Sequence, residues 1–223
     1  MPRRILLTSN GFTTDSMNQA FVQLLEHRAK EKKPSSNRQV EDLVTVYIPD
    51  AAIQEGARLQ DCENDIKQQL QRFGLKDVRV LEVARATKEE TGLALAGADV
   101  VYAECGNTFY LHYHMRRCGF LQMFPSFADQ GVVYVGSSAG SIVAGPTAGI
   151  ALWKGWDDPS VVPRDNPPNY ESMNITEGVS IFPHFSSQWT GLVETNSATL
   201  GHELVTLTDY QAYMVHGDQK CVV

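Results

Sequence analysis

Short apolar runs alternate along the chain with stretches whose apolar residues recur at three- and four-residue spacing, the patterns of buried strands and amphipathic helices. Arg4-Ile5-Leu6-Leu7-Thr8-Ser9 is the first run, closed by Asn10-Gly11. Met17, Ala20, Phe21, Leu24 and Leu25 then share a helix face, with Asp15 or Ser16 placed to accept from its free N–H groups. Pro34-Ser35-Ser36-Asn37 interrupts the pattern, and the run 43–48 predicts a second strand stopped by Pro49-Asp50. Cys62, Ile66, Leu70 and Phe73 mark another helix that Gly74 ends, and the run 78–83 predicts a third strand. Thr87 with Glu90 forms a capping box ahead of a short helix, and 98–103 is the fourth strand.

The fifth apolar run, Val132-Val133-Tyr134-Val135, passes without a spacer into Gly136-Ser137-Ser138-Ala139-Gly140 and a short apolar helix. A G-x-S-x-G sequence between a strand and a helix is a sharp turn that lifts the central side chain above the sheet, and only small neighbours tolerate the close backbone approach. In that setting the Ser138 hydroxyl is exposed, and the Ala139 N–H at the helix N-terminus points to where a carbonyl oxygen would become negative. The same pentapeptide could serve as a plain Gly/Ser turn between two elements. Strand and helix alternation favours an α/β fold with a mostly parallel sheet covered by helices on both faces, joined by right-handed crossovers. Ligands of such sheets collect at the carboxyl ends of strands, where both Ser138 and the Cys105-Gly106-Asn107 turn fall.

After the Ser138 turn the chain changes character. Pro159, Pro163, Pro167 and Pro168 make 154–177 a long irregular loop, a lid or a surface excursion. The run 179–182 resumes strand character and delivers Pro183-His184-Phe185. A weakly periodic helix is predicted over 190–200, then strands over 204–209 and 212–216, with a turn at Gly217-Asp218.

Composition narrows the function classes. The 223 residues, 43% hydrophobic, suit one domain spanning 1–223. No apolar run approaches a membrane span, and Met1-Pro2-Arg3-Arg4 leads straight into a strand, so a cytoplasmic protein without a membrane partner is expected. Cys62, Cys105, Cys118 and Cys221 form no C-x-x-C pair, which indicates neither a metal site nor a disulfide framework. A net charge of -7 argues against a nucleic-acid partner, and the basic run 28–33, interrupted by Glu31, reads as a solvated helix end.

A serine hydroxyl needs a base to take its proton, and neutral imidazole is the usual one. His27 and His202 lie in charged surroundings, and His112 and His114, two apart on a predicted helix, point in different directions. His184 ends an apolar strand, as a residue at the rim of a parallel sheet would, although a structural histidine fits there as well. The imidazole in turn needs an acid to set its tautomer. Asp209 sits just beyond the apolar residues 204–207 of its strand; Asp157 and Asp158 in the long loop are its rivals, and a turn-forming role for Asp209 is the commoner one.

Four motifs in order, Gly106-Asn107-Thr108-Phe109, Gly136-Ser137-Ser138-Ala139-Gly140, Pro183-His184-Phe185 and the late acid Asp209, give the chain its likeness. It resembles the peptidase E (alpha-aspartyl dipeptidase) family of serine peptidases, to which cyanophycinase is related. The resemblance implies a glutamine-amidotransferase-like (flavodoxin-like) three-layer sandwich, no cofactor or metal, and a small peptide or amide as substrate, with a homodimer left open. Carried over by position, Ser138 is the nucleophile, His184 the base and Asp209, where the family often has Glu, the orienting acid. The N–H groups of Gly106 and Ala139 form the oxyanion hole.

This chain departs from the family at three places. Glu104-Cys105 stands where the family has a glycine-rich turn, and the loop after Ser138 is longer. Asn196, in Glu194-Thr195-Asn196, aligns with the family's aspartate-binding arginine. Asn107, Asn196, Glu104 and Arg164 are therefore the candidate substrate contacts, and a strict preference for N-terminal Asp is not expected unless Arg164 or Lys154 supplies the missing cation. Two competing expectations remain: a binding or regulatory protein of the same fold, its oxyanion hole disturbed by Glu104 and Cys105, and Cys105 as the nucleophile.

Overall fold

The computed structural model describes residues 2–31, 38–163, 165 and 168–223. The breaker at 34–37, the end of the basic run at Lys32 and Lys33, and Arg164 lie outside the described residues. Strands β1 (Arg4–Thr8), β2 (Val44–Ile48), β3 (Asp77–Val80), β4 (Val100–Ala103) and β5 (Val133–Ser137) are followed by β6 (Val179–Phe182), β7 (Glu203–Thr206), β8 (Ala212–His216) and β9 (Gln219–Val222). Helices α1 (Asp15–Glu31), α2 (Asp50–Gln54), α3 (Leu59–Gln71) and α4 (Lys88–Gly97) lie between the first four strands. Helices α5 (Thr108–Arg117), α6 (Phe120–Asp129), α7 (Ala139–Ile142) and α8 (Thr190–Ser197) come after them.

One sheet has the order β3-β2-β4-β5-β1-β8-β9. Strands β3, β2, β4, β5 and β1 are parallel, and β8 and β9 add an antiparallel edge. Alternation within β1 shows how its strands are buried on both faces: Ile5 and Leu7 pack with α4, α5 and α6, while Leu6 packs with α1 and α3. The result is a flavodoxin-like three-layer α/β sandwich, as the peptidase E resemblance implies, and its mostly parallel, doubly covered sheet is the one that the alternation of strands and helices predicts. Among the described residues no helix is long and apolar enough to cross a membrane.

Three local features differ from the sequence-based expectations. Thr14, not Asp15 or Ser16, sits ahead of α1, its side chain accepting from Met17 N at 3.4 Å and its carbonyl from Asn18 N at 3.1 Å. The run 179–182 is a strand, but β6 does not join the main sheet; it pairs in parallel with β7 alone, over a separate apolar cluster built on Phe109, Ile142, Ile150 and Phe182. β3 stops at Val80, because the Asp50 carboxylate takes the N–H groups of Val83 (3.0 Å) and Ala84 (2.7 Å) and turns the chain away.

Asp50 is 2% exposed, and burial pushes its carboxyl up to about 6, against the pull of those two amides. A carboxyl raised above its unfolded value binds more protons in the native state, so stability falls as pH rises from about 4 to about 6. Across that window wild type should lose about 1 to 3 kcal/mol relative to Asp50→Asn in thermal melts. A difference that stays constant from pH 4 to 7 would place Asp50 at its ordinary value.

Candidate active site

β5 enters α7 directly, and the turn between them is fixed by space. A Cβ on Gly136 would lie 2.5 Å from the Gly140 carbonyl carbon, and one on Gly140 would lie 2.2 Å from the Ala103 oxygen, so neither position accepts a side chain. Ser138 is held at φ 47, ψ -101, a region non-glycine residues enter only when their surroundings impose it. Those surroundings are visible. Ser138 N donates to Thr8 O (2.9 Å), the Ser141 hydroxyl to Thr8 O (2.7 Å) and Gly136 O (2.8 Å), and the Tyr134 hydroxyl to Gly140 O (2.8 Å).

His184 follows β6 and is likewise at positive φ, 51°. Its N–H donates to Ser9 Oγ (2.9 Å), and the Ser9 hydroxyl donates to Leu207 O (3.0 Å), which also receives Phe185 N (2.8 Å). The imidazole lies between Ser138 and Asp209: Nε2 is 3.0 Å from Ser138 Oγ, and Nδ1 is 2.6 Å from Asp209 Oδ1. A carboxylate only accepts, so Nδ1 carries the proton and Nε2 is left to accept from the serine hydroxyl. Asp209 lies between β7 and β8, and its carbonyl accepts from Thr13 Oγ1 at 2.6 Å.

The acid rivals are engaged elsewhere. Asp157 Oδ2 accepts from Thr108 N (2.9 Å) in the first turn of α5, and Asp158 Oδ1 accepts from Ser160 N (2.8 Å), capping a short 3-10 helix at Pro159–Val161. His112 Nε2 bonds Glu171 O at 2.7 Å, and burial holds its pKa below the usual range; burial and Arg117 bring His114 down to about 4.

Gly106 stands at φ +122, and a Cβ there would meet the Ala51 carbonyl at 2.3 Å, so the turn after β4 accepts only glycine at that point. The other candidate contacts each have partners within the protein. Asn107 is 3% exposed and caps α5, accepting from Tyr110 N (3.0 Å) and donating to Asp158 O (3.2 Å). Glu104 accepts from the Tyr47 hydroxyl (3.0 Å) and from Cys105 N (3.0 Å), which turns its carboxylate toward the α1 and α3 side of the sheet. Asn196 donates to Leu192 O (2.8 Å) within α8. Cys105 is at the surface, but the protein around its sulfur, together with Glu104, pushes the thiol up to about 12, so it is protonated at neutral pH.

Ser138 and His184 open onto a pocket floored by Ile142, Ile150, Ala151 and Phe182, with Lys154, Trp156 and Asp157 on its wall. A second cavity, lined by α5 residues with Pro159, Val162 and Tyr170, holds none of Ser138, His184 and Asp209. Ser9, Tyr134 and Ser141 escape sequence reading, and Lys154 enters it only as a candidate cation for a substrate carboxylate. Only Ser141 has a local signal, a hydroxyl in the first helical turn after the elbow.

The sequence profile of Peptidase family S51 matches residues 5–223. The chain belongs to that family. S51 membership makes it a serine-type peptidase by class and agrees with the peptidase E likeness carried by the four motifs. An uncharacterized peptidase of Pasteurella multocida (strain Pm70) is 24% identical over 147 residues, 64% of this chain and 68% of that protein. An uncharacterized peptidase of Listeria monocytogenes (strain EGD-e) is 30% identical over 121 residues, 54% of this chain and 56% of its own length. Among solved structures, a candidate peptidase E protein from Listeria monocytogenes EGD-e matches with a TM-score of 0.71 at 20% identity, covering 100% of this chain and 98% of that one. A peptidase from an acI-B1 Actinobacterium gives 0.70 at 18% identity, covering 100% and 88%. At these identities the two structures show a shared fold.

Proposed function

We propose that this S51 member hydrolyses small peptides through a covalent acyl-enzyme, with Ser138, His184 and Asp209 as its catalytic triad. The observation that carries the proposal is the unbroken chain from Ser138 Oγ through His184 to Asp209, at 3.0 and 2.6 Å. His184 Nε2 takes the hydroxyl proton as Ser138 attacks the substrate carbonyl, and returns it to the departing amine. Water then attacks the ester by the same route, releasing the acid and free Ser138. The negative charge on the substrate oxygen is met by the N–H of Ala139, which has no partner within α7, and by that of Gly106. The hydrogen bond from Tyr47 that holds the Glu104 carboxylate supports a working oxyanion hole over a purely regulatory protein. A fluorophosphonate, followed by peptide mass spectrometry, tests the reading: one adduct on Ser138, absent in His184→Ala, supports it, and an unlabelled protein refutes it.

The pocket favours a neutral residue on the acyl side. Its floor is apolar, Asp157 adds a negative charge, and Lys154 and Asn196 are both bonded to main-chain carbonyls. Losing a charged bond to a desolvated carboxylate costs about 2 to 5 kcal/mol, enough to erase a several-hundredfold preference. In a dipeptide library, neutral residues should be cleaved at least as fast as N-terminal Asp. Dominant Asp-X cleavage would refute this, and its loss in Arg164→Ala would identify the cation responsible.

A further inference from the structure

We propose that Lys154 is a positioning residue for the catalytic base, its ammonium holding the Pro183-His184 backbone in the conformation that presents the imidazole to Ser138. This rests on the serine-peptidase reading above. His184 sits at φ 51, which an L-residue does not favour, and it is the clamping of its main chain that keeps it there. One half of the clamp is Ser9, which receives the His184 N–H at 2.9 Å. The other half is Lys154, whose Nζ donates to the carbonyl of Pro183 and, at 3.2 Å, to that of His184. The two tethers act on opposite sides of the same residue, one anchored at the end of β1, the other in the loop after the elbow.

The lysine is itself fixed. Nζ lies 4.3 Å from the Trp156 ring centre, 4.4 Å from Phe182 and 5.4 Å from Trp189, three faces from the loop, β6 and the short helix after His184. Trp156 also reaches the catalytic imidazole, their ring centres 5.9 Å apart. Burial brings the ammonium down to about 8, opposed by Asp209 and Asp157, so it is mostly charged at neutral pH. With two donors on main-chain carbonyls and aromatic rings around it, Lys154 is built to hold the protein and not to bind a substrate carboxylate.

The test compares wild type, Lys154→Met and Lys154→Cys. In Lys154→Met, kcat should fall on the order of 100-fold with KM nearly unchanged, equally for neutral and Asp acyl-side peptides, because a small displacement of the base costs about that much. Fluorophosphonate labelling of Ser138 should slow by a similar factor. Alkylating Lys154→Cys with 2-bromoethylamine restores an ammonium of nearly lysine length and should recover at least about tenfold in kcat, with wild type treated in parallel. Wild-type labelling and kcat in folded Lys154→Met would overturn the positioning role and leave the serine-peptidase reading standing. A loss confined to KM for acidic substrates would instead make Lys154 a substrate contact. If the Met variant does not fold, the Cys variant decides: one that melts like wild type and gains nothing on alkylation refutes the role. An unlabelled wild type removes both readings.

Discussion

Ser138→Ala lowers kcat/KM on a competent peptide by roughly ten-thousandfold to a millionfold, while its melting temperature stays close to wild type. The hydroxyl's hydrogen bond is to His184, and Ala keeps the backbone and volume that the elbow needs. His184→Ala should fall by about as much, and the double variant should be scarcely worse than either, because residues sharing one proton transfer are not additive. Measured kcat/KM values that multiply across the double variant would separate the two residues and remove the proposed general base. Labelling by a fluorophosphonate should disappear in both single variants. Retained labelling in His184→Ala would make another group the activator of Ser138.

Asp209→Asn should cost roughly a thousandfold to ten-thousandfold in kcat/KM, with the fold intact. The carboxylate accepts the Nδ1 proton; an amide placed there can offer N–H, which favours the tautomer with its proton on Nε2, facing Ser138 as a donor. An imidazole in that state cannot take the hydroxyl proton. Asp209 is 46% exposed at its side chain, so its role is one of orientation more than of buried charge, and the substitution should leave thermal stability almost unchanged. Asp157→Asn and Asp158→Asn should lose far less, since their carboxylates cap α5 and a 3-10 helix. The reverse ranking would move the acid into the loop.

The elbow and the layered sandwich are legible in the sequence because their causes are local. A strand that runs into Gly136-Ser137-Ser138-Ala139-Gly140 has few ways to turn, and alternation of apolar runs with helical spacing decides the architecture. His184 and Asp209 are legible as strand-end residues, and the structure brings each to the other through the parallel pairing of β6 with β7. That this pairing forms a separate small sheet is not legible, since β6 carries the same apolar pattern as a strand of the main sheet. The direction of Glu104 depends on Tyr47, and the clamp on His184 depends on Ser9 and Lys154, each far away in the chain. Such contacts leave no periodic signature. Thr14 in place of Asp15 at the start of α1 is a one-residue shift of the kind that helix boundaries commonly show.

The order in which the chain is made gives β8 a consequence for timing. β1 is made before β5 and β8, yet it lies between them, pairing Arg4 with His216 at one end and Thr8 with Ala212 at the other. A nascent chain that has reached Ser138 still lacks Asp209, the proposed acid between β7 and β8, and the strand β8 that pairs with β1. Closing such a distant pairing is a late step. On the proposed triad, Ser138 is therefore synthesised well before its acid, and the site is incomplete until the segment beyond Asp209 has emerged and docked.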